Sequence, residues 1–189
     1  MTRRSGRILN CWLVALFLLM AACASTPPAS LFRFEPNLLE SRNGRLRFKI
    51  PEGWLNATND SATAASIIWL VRSDYAATLS VREVGVDTET RREIERSGLV
   101  RLADLTLALA SSEQGVTVLH QPELASVHGN NICRYAYVAG NSSDRVQVVL
   151  LDTGSKVYEI KILETKKMQR DSRENTWDFP KAFVQNLEW

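Results

Sequence analysis

Four runs rich in β-branched and aromatic residues follow one another through VTVLHQPELASV, NICRYAYVAG, RVQVVLLD and KVYEIKILE, with only a few turn-forming residues between each and the next. The separators fall at 129–131, 141–144 and 153–155, and each carries glycine, asparagine or serine. Connections this short join antiparallel strands, because a parallel pair needs a crossover of about a dozen residues or more. The segment is therefore expected to be an antiparallel meander built on three successive hairpins. Pro122 should break or bulge its first strand. The unbroken apolar stretch at 148–151 predicts a strand covered on both faces.

Upstream, the period is also two. In RLRFKI, Leu46, Phe48 and Ile50 fall on one side and Arg45, Arg47 and Lys49 on the other, the pattern of a half-buried strand. PEGW ends it as a turn, and SIIWLV and ATLSVREV read as two more strands joined by a polar turn at 72–75. Between these strands and the meander, the spacing predicts one long helix over 90–112. Thr90 and Glu93 match a capping box, and Gly115 suits a left-handed cap just past the end. Asp87 and Glu89 supply charge that favours the positive end of the helix dipole. On a continuous helix Ile94, Leu102, Leu105 and Leu109 share a stripe that should face a sheet, while Val100, Ala103 and Leu107 fall on nearly the opposite side. That second set reads either as a side covered by a loop or as a partner-binding ridge. After a polar segment at 165–175, Asp178 and Pro180 suit the first turn of a last helix with Phe179, Phe183 and Leu187 at four-residue spacing. A helix with that stripe is best buried on the free face of the same sheet.

The order of these elements predicts an α+β class: a mostly antiparallel β-sheet sandwiched between a long helix and a C-terminal helix. Here the residues reach a family. LRFKIPEGW near the start, VHGNNICRYAYV before a hairpin pair, KVYEIKI and the aromatic terminal helix resemble the PsbP-like (Mog-type) fold, which includes lipid-anchored bacterial members and relatives of the envelope protein DcrB. The resemblance covers 39–189 and implies an accessory or binding role in a larger assembly rather than catalysis. It supplies no family-wide site to place on these residues.

The amino end states an address. Arg3, Arg4 and Arg7 precede an apolar run that ends in the small residues Ala21 and Ala22, the layout of a secretory signal. The run falls short of the roughly 20 residues that span a bilayer as a helix. Met20-Ala21-Ala22-Cys23 resembles the lipobox of bacterial lipoproteins, in which the peptidase cuts before a lipid-modified cysteine. The alternative is an ordinary signal peptide with Cys23 incidental. Two acyl chains of roughly fifteen methylenes each, at about 0.8 kcal/mol per methylene, supply about 24 kcal/mol and hold a protein permanently. By the same resemblance, Ala24 in place of aspartate implies the outer membrane, on its periplasmic face. The expected organisation is a signal peptide at 1–22, a lipidated Cys23 with a proline-rich tether over 23–38, and a single domain over 39–189. Such a tether, at about 3.3 Å per extended residue, spans a few tens of ångströms.

Cleavage before Cys23 changes the charge. Three of the 23 lysines and arginines and none of the 21 acidic residues lie upstream, so the exported chain carries one net negative charge. Nucleic-acid binding, which requires a basic excess or a basic face, is not expected. The cluster of Lys166, Lys167 and Arg170 is followed by Asp171 and Glu174 and reads as a solvated loop. Once Cys11 leaves and Cys23 carries lipid, Cys133 is the remaining thiol, so no internal disulfide forms; within ICRYAYV it reads as a small buried hydrophobe.

Catalytic chemistry finds little support. His120, His128 and Glu123 make three metal donors on paper, but nothing in their spacing forces them onto one ion. No GxSxG elbow and no phosphate-cradling glycine loop occur. Tyr135, Tyr137 and Tyr158 lie on strands and are expected in the core, whereas Trp54, after a turn glycine, and Tyr75, in a loop, are candidates for exposed anchors. Two readings follow. The first is a non-enzymatic, membrane-anchored binding or accessory module of a protein assembly, without cofactor or metal, whose partner surface draws on Val100, Ala103, Leu107, Trp54 and Tyr75. The second is a small-ligand binding or hydrolytic domain with a pocket between sheet and helix.

Overall fold

The alternation in RLRFKI does what period two demands. Leu46, Phe48 and Ile50 are buried, while Arg45 and Arg47 are exposed. The computed structural model describes residues 32–60, 63–140, 142, 144–165 and 176–189. The signal segment, Cys23, the first part of the tether and the Lys166, Lys167 and Arg170 cluster lie outside the described residues.

Among the described residues, ten strands form two antiparallel sheets. The larger joins β3 (Trp54–Asn56), β4 (Ile68–Arg72), β5 (Ala77–Val84), β6 (Val116–Val127), β7 (Asn130–Ala139), β8 (Arg145–Asp152) and β9 (Val157–Glu164) in the order β3-β4-β5-β9-β8-β7-β6. The three expected hairpins of the meander are present. The first turns on His128 and Gly129, both at positive φ (50° and 79°), as a two-residue loop that follows strand twist requires. Pro122 sits where the β6 register shifts, between His120 and Glu123. Residues 148–151 are buried on both faces of the sheet. What hairpins cannot specify is the seam. β9 pairs with β5 through eight residue pairs, and this joins the meander to the earlier strands.

The smaller sheet, in the order β1-β2-β10, combines β1 (Phe34–Glu40), β2 (Arg47–Pro51) and β10 (Leu187–Glu188). It corrects two expectations. The folded domain begins before residue 39, because β1 pairs with β2 and Phe32 packs edge-on against Phe179 at 5.1 Å. The terminal helix is also shorter than its apolar spacing implies: α3 (Phe179–Val184) ends after six residues, and Leu187 is buried in a strand.

The expected single helix is two. α1 (Thr88–Ser97) is capped by Asp87, whose carboxylate accepts from the Thr90 amide at 2.7 Å, so the cap lies three residues before Thr90. It ends at Gly98, with φ 71° and ψ −173°, a conformation open essentially to glycine alone. α2 (Val100–Gln114) then restarts from Leu99 without a side-chain cap and ends at Gly115, as expected. The break resets the helical phase. Leu99, Leu102 and Ala103 are buried with Tyr135, Tyr137 and Val148, and Val100, Leu107 and Ala110 pack half-buried against them. Leu105 and Leu109 are 51% and 59% exposed. The face assignment for α2 therefore holds at Leu102 and fails at Leu105 and Leu109: the three share one unbroken helix, whose sheet-facing side is turned from Leu102 toward Ala103, Leu107 and Ala110.

Two cores result, one on each side of the large sheet. α1 and α2 cover Cys133, Tyr135, Tyr137, Val146, Val148, Leu150 and Val157 on one face. α3 and the small sheet cover Ile132, Val149, Leu151, Tyr158, Ile160 and Ile162 on the other. The architecture is α+β with the sheet between helices, as expected.

Candidate functional site

On the α3 side of the sheet, the apolar layer gives way near one end to polar side chains. The register explains which. His120 stands opposite Ala136, Ala136 opposite Gln147 and Gln147 opposite Ile162, while Arg145 stands opposite Glu164. Alternate residues on β8 share a face, so Arg145 and Gln147 project to the side where Val149 and Leu151 join the α3 core.

Gln147 is 1% exposed and Glu164 1%. The Gln147 amide nitrogen donates to Glu164 Oε1 at 2.8 Å and to Thr176 Oγ1 at 3.1 Å. Arg145 Nη1 donates to Thr176 Oγ1 at 3.3 Å and lies 3.5 Å from Glu164 Oε2. Burial pushes the Glu164 carboxyl above its ordinary 4.5, against the opposing pull of Thr176, Arg145 and Gln147. Two buried atoms of this cluster, Gln147 Oε1 and Arg145 Nε, have no hydrogen-bond partner. A buried acceptor or donor left so costs about 1–3 kcal/mol, and an apolar residue in its place would avoid that cost.

Trp177 roofs the cluster from a 3₁₀ turn (Thr176–Asp178) that leads into α3. Its ring stacks on His120 at 4.1 Å, and the Arg134 guanidinium lies 4.6 Å from its centre. Arg134 in turn pairs with Glu123 and Asp178, each at 3.1 Å. The result is a recess of about 320 Å³ lined by Leu119, His120, Ala136, Arg145, Gln147 and Trp177.

The residues singled out from sequence are placed differently. Trp54 is 7% exposed and stacks on Phe179 at 5.3 Å, because β3 pairs with β4 and turns the ring into the core; it is no exposed anchor. Ala103 is fully buried, and Val100 and Leu107 face the helix-side core, so they form no free ridge. Tyr75 is exposed (76%) at the tip of the β4–β5 turn, held at φ 58°. His120, His128 and Glu123 are not brought together: His120 stacks on Trp177, Glu123 pairs with Arg134, and His128 Nε2 lies 3.0 Å from the Gln185 carbonyl. Among the described residues no group of three metal-donating side chains converges. Cys133 is buried, and burial pushes its thiol up to about 11, consistent with a packing role.

A second surface emerges from the phase of α2. Its outward side from 105 to 112 carries no charge and exposes Leu105, Ala108, Leu109, Ser111 and Ser112. Among the described residues no helix is long and apolar enough to cross a membrane.

No family model and no curated protein matches the sequence. Solved structures do match the architecture. Cyanobacterial PsbP (CyanoP) from Synechocystis sp. PCC 6803 is similar over 88% of this chain and 98% of its own, with a TM-score of 0.51 and 11% identity. The Ran-binding protein Mog1p of Saccharomyces cerevisiae is similar over 82% and 96%, with a TM-score of 0.54 and 12% identity. The domain has the PsbP-like fold. At these identities the likeness is one of architecture, and neither the recess nor the α2 surface is carried over from those proteins. Within this PsbP-like domain, sequence reading passed over Arg145, Gln147, Glu164, Thr176 and Trp177 as a group. The one available signal was Gln147, a lone amide inside the apolar run RVQVVLLD.

Proposed function

We propose that this protein is a cell-envelope lipoprotein, moored through lipid on Cys23 at the periplasmic face of the outer membrane, whose PsbP-like domain works as a non-enzymatic binding or accessory module of a protein assembly. The observation that carries the reading is the uncharged outward side of α2. A solvated helix face ordinarily carries charge, whereas this one offers Leu105 and Leu109, 51% and 59% exposed, with small residues between them. Small side chains beside two leucines suit close approach of an apolar protein surface, such as the stripe of a partner helix. Mog1p, a Ran-binding protein, is a precedent for this fold serving protein recognition.

The test has two arms. Replacing Cys23→Ser should move the protein from the membrane to the soluble envelope fraction; unchanged fractionation rejects the mooring. A photo-crosslinking residue at Leu105 or Leu109 should trap a discrete protein adduct in intact cells that the same probe at Glu113 does not give, and equal adducts at all three positions reject the docking face. The small-ligand reading is favoured by one specific observation, the polar recess under Trp177.

A further inference from the structure

The recess beside β8 is built from residues that a purely structural role does not explain. Gln147 lies in the middle of a strand whose residues 146 and 148–151 are all apolar and buried. Its amide nitrogen is used twice, by Glu164 and Thr176. Its amide oxygen, at a position 1% exposed, has no partner. Two residues along the same face, Arg145 Nε is a buried donor without a partner. The residues that carry this acceptor and this cationic donor line one opening, and Leu119, His120, Ala136 and the Trp177 ring complete its wall. A volume of about 320 Å³ falls at the small end of ligand pockets, which run from roughly 300 to 1,000 Å³.

The charges that face the recess narrow the ligand. Arg134 is held by Glu123 and Asp178. Arg145 has Glu164 at 3.5 Å and Thr176 Oγ1 at 3.3 Å, and its side chain remains 36% exposed at the recess. A planar guanidinium beside an apolar wall suits a carboxylate. The unfilled amide oxygen requires an N–H or O–H.

We propose that this recess binds a small organic acid bearing an amino or hydroxyl group next to its carboxylate and a short apolar tail. The carboxylate pairs with Arg145, the neighbouring N–H or O–H donates to Gln147 Oε1, and the tail lies against Leu119, Ala136 and Trp177. The site is independent of the docking face on α2.

The test is calorimetric titration of the full-length protein in detergent with four isosteric probes: leucine, 2-hydroxy-4-methylpentanoate, 4-methylpentanoate and 3-methylbutylamine. The first two should bind saturably. Removing the donor, in 4-methylpentanoate, should weaken binding about tenfold or more, as expected for leaving a buried acceptor unpaired. Removing the carboxylate, in the amine, should abolish it. Arg145→Met should abolish binding of leucine, and Gln147→Leu should bring leucine and 4-methylpentanoate to the same affinity. Should Gln147→Leu fail to fold, the probe series on the unsubstituted protein decides by itself, supported by a leucine-dependent change in tryptophan fluorescence that Trp177→Phe removes. Absence of binding by leucine and the hydroxy acid at millimolar concentration overturns the proposal. So does equal binding of all four probes, or leucine binding that survives Arg145→Met.

Discussion

At the scale of single residues, the polar atoms on the α3 side of the sheet have consequences that a fully apolar layer would not. Glu164 is the clearest. Its carboxyl titrates above 4.5 in the folded protein because burial disfavours the carboxylate. A raised carboxyl contributes stability in full below the unfolded value of about 4.5 and loses it as pH rises through the folded value. Glu164→Gln keeps an oxygen to accept from Gln147 but removes the ionisation. The variant should therefore gain stability relative to the unsubstituted protein as pH rises from 4 toward 7.5. Thermal melts at the two pH values read the difference, and a gap independent of pH would contradict the assignment. Glu83 lies on the other side of this logic. Its hydrogen bond to Lys156, and the charges of Lys156 and Arg45, hold its carboxyl below the usual range. Its stabilising share is present above about 4.5 and is lost on acidification.

At the scale of elements, the break at Gly98 divides the expected long helix into α1 and α2. With φ 71° and ψ −173°, that residue occupies a region costing an L-amino acid of order 1–3 kcal/mol. An added Cβ would sit 3.7 Å from Leu124 Cδ1, an ordinary contact, so the cost comes from the backbone and not from a clash. Gly98→Ala should lower the urea midpoint by an amount equivalent to about 1–3 kcal/mol, with the slope of the transition unchanged. The phase itself is checked by a pair of substitutions. Leu102→Ala opens a hole beneath the helix and should cost about 2–5 kcal/mol, whereas Leu105→Ser on the outer side should stay within about 0.5 kcal/mol of the parent. Comparable losses at the two positions would mean the helix sits the other way round.

At the scale of the whole molecule, the small sheet extends the domain toward the amino end. A chain starting at Leu39 lacks Phe32, which packs on Phe179, and most of β1. It should be at least about 2 kcal/mol less stable than one starting at Phe32, by denaturant titration, since two partly buried phenylalanines are lost. Equal stability would return residues 32–38 to the tether. The meander was legible in advance because hairpin turns and alternating burial are local properties, set by the residues at 129, 154 and their neighbours and by period two. The helices beside the sheet were legible as helical segments but not in their bounds or facing: one glycine's conformation splits the first into two, and which side of α2 is covered depends on how the helix lies on the sheet. The recess was legible only as an oddity, an amide at 147 within an apolar run. What the amino-acid sequence by itself determined is which segments pair with their chain neighbours and which side of each strand is apolar. The tertiary structure alone decided that β9 meets β5, that Trp54 turns inward, and that Arg145, Gln147, Glu164 and Thr176 converge, because each depends on contacts between segments far apart in the chain, where no local preference acts.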